Sequence, residues 1–92
     1  MKKVVHKVKV KNKLGLHVRP AAMLAKLLQG FKSHVSILYR KEEVDARSIM
    51  SILMLAIKKN SQITLIAEGD DAEEVIGELI IAFEARFGEV EL

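Results

Sequence analysis

Val4, His6, Val8 and Val10 alternate along the chain with Val5, Lys7, Lys9 and Lys11. A two-residue period of this kind is a strand with one face toward a core. The same period returns at 34–39, where Val35, Ile37 and Tyr39 share a side. It returns again at 63–68, where Ile63, Leu65 and Ala67 alternate with Thr64, Ile66 and Glu68. Val44 anchors a short strand after the second of these. Elsewhere the spacing is helical. Ala21, Ala22, Leu24, Ala25 and Leu28 form one stripe, and Val75, Ile76, Leu79, Ile80, Ala82, Phe83 and Phe87 form another. The order is therefore β-α-β-β-α-β-α. It does not place a helix between every pair of strands, which speaks against a doubly wound parallel sheet. The pattern predicts an α+β fold, a four-stranded, mainly antiparallel sheet with three helices on one face.

Local signals set the expected boundaries. Pro20 opens the first helix, because its fixed φ and missing N–H are tolerated only in the first turn. The stripe carries that helix to about Gln29, and Gly30 is expected as its left-handed stop. Arg40-Lys41-Glu42-Glu43 connects two strands without the Asn-Gly of a two-residue hairpin, so a hairpin is expected with its turn type undefined. Asp70 and Glu73 have the spacing of a capping box. The last helix is expected to run to about Phe87, with Gly88 as its stop. Gly77 inside it costs about 1 kcal/mol against Ala and suggests a close helix contact. His6, on the inward side of the first strand, is expected to be partly covered.

Ser48 suits the N-cap of a short helix. Ile49, Met50, Ile52, Leu53, Met54, Leu55, Ala56 and Ile57 follow, interrupted only by Ser51. A surface helix of a small protein should have one apolar face, and here apolar residues point nearly all round. Either the helix is unusually buried or part of it is an exposed patch that meets a partner. The methionines favour the patch, since flexible thioethers suit surfaces with several partners.

The chain has 92 residues and reads as a single domain, 1–92. It has no cysteine, which excludes disulfides and zinc–thiolate sites. No apolar run reaches the roughly 18 residues of a membrane span, and the amino-terminal stretch does not read as a signal peptide. The expected location is the cytoplasm, without membrane insertion. The net charge is +3, with Lys2, Lys3, Lys7, Lys9, Lys11 and Lys13 crowding the first strand. A basic sheet that stacks single-stranded nucleic acid wants exposed aromatics. This chain has one Tyr, three Phe and no Trp, so solvated strand lysines are the better reading and no nucleic-acid partner is expected.

The chemistry concentrates at Gly15-Leu16-His17-Val18-Arg19-Pro20-Ala21. Pro20 places His17 just outside a helix N-terminus, which carries partial positive charge and unpaired N–H groups and attracts anions. The expected nucleophile is a neutral imidazole. Arg19 brings a guanidinium fork matched to phosphate oxygens. Together they suggest a histidine that accepts a phosphoryl group. His6, His17 and His34 lack metal-ligand spacing, so no metal or cofactor is expected. There is no glycine-rich phosphate loop for a nucleotide, so the phosphoryl group is expected from another protein. The reading is a carrier with a phosphohistidine intermediate, and not a stand-alone catalyst.

The stretch from Gly15 to Ala21 resembles the active-site signature of the HPr family, the histidine phosphocarriers of the sugar phosphotransferase system. Ser48-Ile49-Met50 and Ala67-Glu68-Gly69 fall where that family has them, and the resemblance runs from about Val4 to Phe87. It implies an open-faced β-sandwich. It implies that enzyme I phosphorylates Nδ1 of His17, that Arg19 shares the transferring group, and that an enzyme IIA domain receives it. It implies docking through Ile49, Met50 and Leu53, and regulatory phosphorylation of Ser48 by an ATP-dependent serine kinase in many Gram-positive relatives. Such a carrier is expected to be a monomer. Ser51 and Ala56 depart from glycines common in the family, and the hairpin lacks a frequent glycine. Two alternatives stay open. One is a related regulatory carrier, of nitrogen-type phosphotransfer or with a transcription-factor partner, not coupled to sugar transport. The other is a small basic RNA-binding domain.

Overall fold

A computed structural model describes residues 2–90. The strands are β1 (Lys3–Lys9), β2 (His34–Tyr39), β3 (Glu42–Asp45) and β4 (Gln62–Glu68). The helices are α1 (Val18–Leu28), α2 (Ile49–Met54) and α3 (Ala72–Glu84), followed by a short 3-10 turn at Arg86–Gly88. The sheet order is β1-β4-β2-β3 and each neighbouring pair is antiparallel. His6 pairs with Leu65 and Ile37 pairs with Leu65 from the other side. That row leads into the core built from Val35, Ile37, Ile63, Leu65 and Ala67 of the sheet with Leu24, Leu28, Ile52, Leu79 and Phe83 of the helices. α3 lies over β1 and β4, while α1 packs against α2.

The alternation in the strands is as the sequence implies except at His6 and at Ser36, which is buried between Val35 and Ile37. Val4 and Val8 are half-buried and Val10 is buried, but His6 is exposed. His6 lies on β1, an edge strand of the sheet. The β2–β3 connection is a two-residue turn, with Tyr39 paired to Glu42. Arg40 and Lys41 both take positive φ, 49° and 72°, the pattern of a type I′ turn without the usual Asn-Gly.

Two helix ends differ from expectation. α1 stops at Leu28, and Gly30 is not left-handed. Instead Gln29, Gly30 and Phe31 donate to the carbonyls three residues back. The Arg47 guanidinium takes the carbonyls of Leu28, Phe31 and Ser33 at 2.9–3.0 Å. A side chain from the loop before α2 thus satisfies the end of α1, and no glycine cap is needed. α3 ends at Glu84 and not at Phe87. Arg86, Phe87 and Gly88 then take φ of 53°, 50° and 76°. This left-handed run turns the chain back while Phe87 stays buried, edge-on to Phe83 at 4.8 Å.

Asp70 and Glu73 form no capping box. The residue before α3 is Asp71, and its carboxylate makes no bond to its own helix. It accepts from the backbone N–H of Lys32 and of Ser33, and from the Ser33 hydroxyl. Gly77 faces open space, with nothing within 4 Å of where a Cβ would stand, so it serves no helix contact.

Candidate functional site

His17 is the N-cap of α1, in extended conformation at φ −84° and ψ −169°. Ala21 N–H closes the first helical bond, to His17 O at 3.0 Å. Pro20 has no N–H, so the free donors of this end are those of Val18 and Arg19. The His17 side chain does not cap them, which leaves them for an anion.

The loop before His17 is held by backbone. Gly15 takes φ +69°, and a Cβ there would stand 2.1 Å from the carbonyl oxygen of Ile57. Leu16 N–H donates to that same carbonyl at 3.0 Å, and the buried Leu16 side chain anchors the loop. The segment after α2 therefore sets the height of His17. Leu14, Leu16, Leu53, Ala56 and Ile57 line a shallow apolar groove that includes His17.

Arg19 is exposed and makes no hydrogen bond or ion pair among the described residues. It lines a second groove with Met23, Phe87, Gly88 and Glu89. His17 and Arg19 both stand at the start of α1, and Glu89, which lines the groove of Arg19, also meets His17 Nε2.

Ser48 is the N-cap of α2: its Oγ accepts from Ser51 N–H at 3.3 Å and donates to Ser51 Oγ at 2.8 Å. α2 resolves the question of its apolar surround. Ile52, Leu55 and Ile57 are buried, Ile49 and Leu53 are half-buried, and Met50 and Met54 are 68% and 79% exposed. Part of the helix is an apolar surface patch, and Met54 belongs to it beside the expected Ile49, Met50 and Leu53.

Two residues at the site carried no local signal. The Glu89 carboxylate lies 2.9 Å (Oε2) and 3.2 Å (Oε1) from His17 Nε2. Asn12, fully buried, donates its amide to Glu89 Oε1 at 2.5 Å and to Arg86 O at 2.9 Å. Among the described residues, Asn12 Oδ1 has no partner. Flipping the amide would set that oxygen against a carboxylate and a carbonyl, so the orientation is fixed by its two acceptors. No group of acidic and histidine side chains suited to a metal is found among the described residues, nor any helix long and apolar enough to cross a membrane.

An open-faced sandwich holding a histidine at the N-terminus of its first helix, with an exposed arginine in the first turn, is the architecture of a histidine phosphocarrier. Residues 4–85 match the family model for the PTS HPr component phosphorylation site. The phosphocarrier protein HPr of Cupriavidus necator is 42% identical over 80 residues, covering 87% of this chain and 90% of that protein. HPr-C-His from Thermoanaerobacter tengcongensis superposes with a TM-score of 0.88 at 40% identity, covering 99% of this chain and all of that one. The phosphoryl donor subunit DhaM of a PEP-dependent dihydroxyacetone kinase, from Providencia stuartii, is 39% identical over 80 residues. The chain covers only 17% of that protein's length. The chain belongs to the HPr family of phosphocarriers.

Proposed function

We propose that this chain accepts a phosphoryl group from enzyme I on Nδ1 of His17 and passes it to enzyme IIA domains in sugar uptake. The observation that carries the reading is the His17 N-cap: an imidazole whose side chain leaves the donors of Val18 and Arg19 free. The Nδ1 lone pair attacks phosphorus, and the bond from phosphorus to the donor breaks, its electron pair returning to the donor. The phosphoryl oxygens then meet backbone N–H groups and the positive end of α1. Arg19 offers a guanidinium to the charge that builds in transfer. The Met50–Met54 patch and the groove at Leu53 supply the apolar surface on which donor and acceptor dock, and all these residues come from one chain. Ser48, at the edge of that patch, is the position where a serine kinase would regulate docking.

The test is incubation with enzyme I and phosphoenolpyruvate, followed by intact mass. Wild type should gain one acid-labile, alkali-stable phosphoryl group and His17→Ala none, while His6→Ala and His34→Ala behave as wild type. Label retained by His17→Ala overturns the assignment. The similarity to DhaM favours one second reading, a carrier for soluble phosphotransfer outside sugar uptake. Transfer from the phosphorylated chain to an isolated enzyme IIA domain separates the two.

A further inference from the structure

We infer that Glu89 is the positioning residue that decides which nitrogen of His17 takes the phosphoryl group; this deepens the carrier reading above and rests on it. A carboxylate only accepts hydrogen bonds, so the atom facing it at 2.9 Å is an Nε2–H. In the neutral ring, the form that can act as a nucleophile, that fixes the tautomer. Nε2 carries the proton, and the Nδ1 lone pair is left as the nucleophile. The carboxylate also stands where a phosphoryl dianion would have to approach Nε2, so attack from that nitrogen is blocked by both its proton and the charge. When Nδ1 bonds phosphorus the ring becomes cationic, with its proton still on Nε2. The carboxylate stabilises that cation without taking the proton, as the aspartate of a catalytic triad does for its histidine.

The arrangement is built and not incidental. The Glu89 side chain is only 11% exposed. Asn12 holds its Oε1, and the left-handed run Arg86–Gly88 delivers it. Phe87 pins that run in the core. Glu89 lies beyond residues 4–85, the span that matches the family model.

The geometry gives a test that a merely structural role does not pass. In Glu89→Gln, Asn12 still donates to an oxygen at the Oε1 place, which puts the new amide NH2 against His17 Nε2. That nitrogen must then accept, and the proton moves to Nδ1. Glu89→Ala simply releases the ring to both tautomers. The near-isosteric change should therefore do more harm than the truncation. With phosphoramidate as a small donor, wild type should be labelled at Nδ1 alone. Glu89→Ala should give both phosphohistidine isomers, and Glu89→Gln should be labelled at Nδ1 at least about 10-fold more slowly than Glu89→Ala. Nitrogen-15 spectra of the unphosphorylated ring should place the proton on Nε2 in wild type and on Nδ1 in Glu89→Gln. A wild-type proton on Nδ1, or two variants that label alike and only at Nδ1, overturns the inference. Because the ring spectra need no phosphoryl donor, they judge Glu89 even if His17→Ala disproves the carrier reading.

Discussion

Gly15 and Ile57 touch so closely that no side chain fits between them: a Cβ on residue 15 would stand 2.1 Å from the Ile57 carbonyl oxygen and 2.9 Å from Lys58 Cα. Both obstacles are backbone, so neither swings aside. The φ of +69° at Gly15 adds a second penalty for any L side chain. Gly15→Ala should lose at least about 2 kcal/mol of stability in urea unfolding. Phosphoryl acceptance should fall as well at a temperature where the variant is still folded, because the loop that carries His17 must lift. Acceptance at the wild-type rate would mean that the height of this loop is immaterial.

Two substitutions in opposite directions should both stabilise. Ala56 sits at φ +53° just past the end of α2, a conformation that costs an alanine about 1–2 kcal/mol and a glycine far less. Ala56→Gly should gain roughly 0.5–1 kcal/mol after the added freedom of the unfolded chain is counted. Gly77 is the reverse, a helix-interior glycine with open space around it, and Gly77→Ala should gain about 0.8–1 kcal/mol. The sites are independent, so the double variant should show the sum in thermal or urea melts.

Asp71 makes stability depend on acid. The Ser33 hydroxyl, then the Lys32 N–H, hold its carboxyl below the ordinary carboxylate value. A depressed folded value means that the unfolded chain binds the proton first. The contribution is full above the ordinary carboxylate range, about 3.9, and is lost as pH falls through the folded value. Asp71→Asn should lower the melting temperature at pH 7 and flatten its decline on acidification. Parallel curves for the two proteins would assign the acid sensitivity to other carboxyls.

Asp71 also shows where sequence reading stops. Its spacing and its neighbour Glu73 speak only of a local cap, but the donors it serves lie 38 and 39 residues away. Arg47 likewise replaces the glycine cap of α1 from 16 to 19 residues beyond. What depends on neighbours was legible. Strand periods, Pro20 at a helix start and Ser48 as a cap are fixed by sterics within a turn. So was the placement of His17 and Arg19 at the start of α1, because both sit on that same turn. Glu89 and Asn12 were not. They meet across 77 residues, and only the left-handed run at Arg86–Gly88, which the sequence presents as the tail of a helix, brings them together.

Arg19 should serve transfer and not the fold. Its side chain is exposed and unpaired among the described residues, so Arg19→Lys should melt within about 0.5 kcal/mol of wild type. The lysine keeps the charge and loses the planar fork. Transfer from enzyme I should slow by roughly 10-fold, measured by rapid-quench intact mass. Equal rates would make Arg19 a bystander.

A substitution at Ser48 should separate docking from chemistry. Its Oγ caps α2 by accepting from Ser51 N–H, and an aspartate at 48 can accept from the same donor, so Ser48→Asp should keep the fold. The added charge falls beside Met50, which is 68% exposed, on the apolar surface proposed for docking. A carboxylate there has to be desolvated or must face the partner, so acceptance from enzyme I should slow by roughly an order of magnitude. Phosphoramidate needs no docking surface, and its labelling of His17 should be unchanged. A phosphoserine carries about −1.5 to −2 of charge and should act in the same direction, more strongly. If Ser48→Asp accepts from enzyme I as fast as wild type, the residue is a helix cap and nothing more. If it loses phosphoramidate labelling too, the charge acts on His17 itself and not on docking.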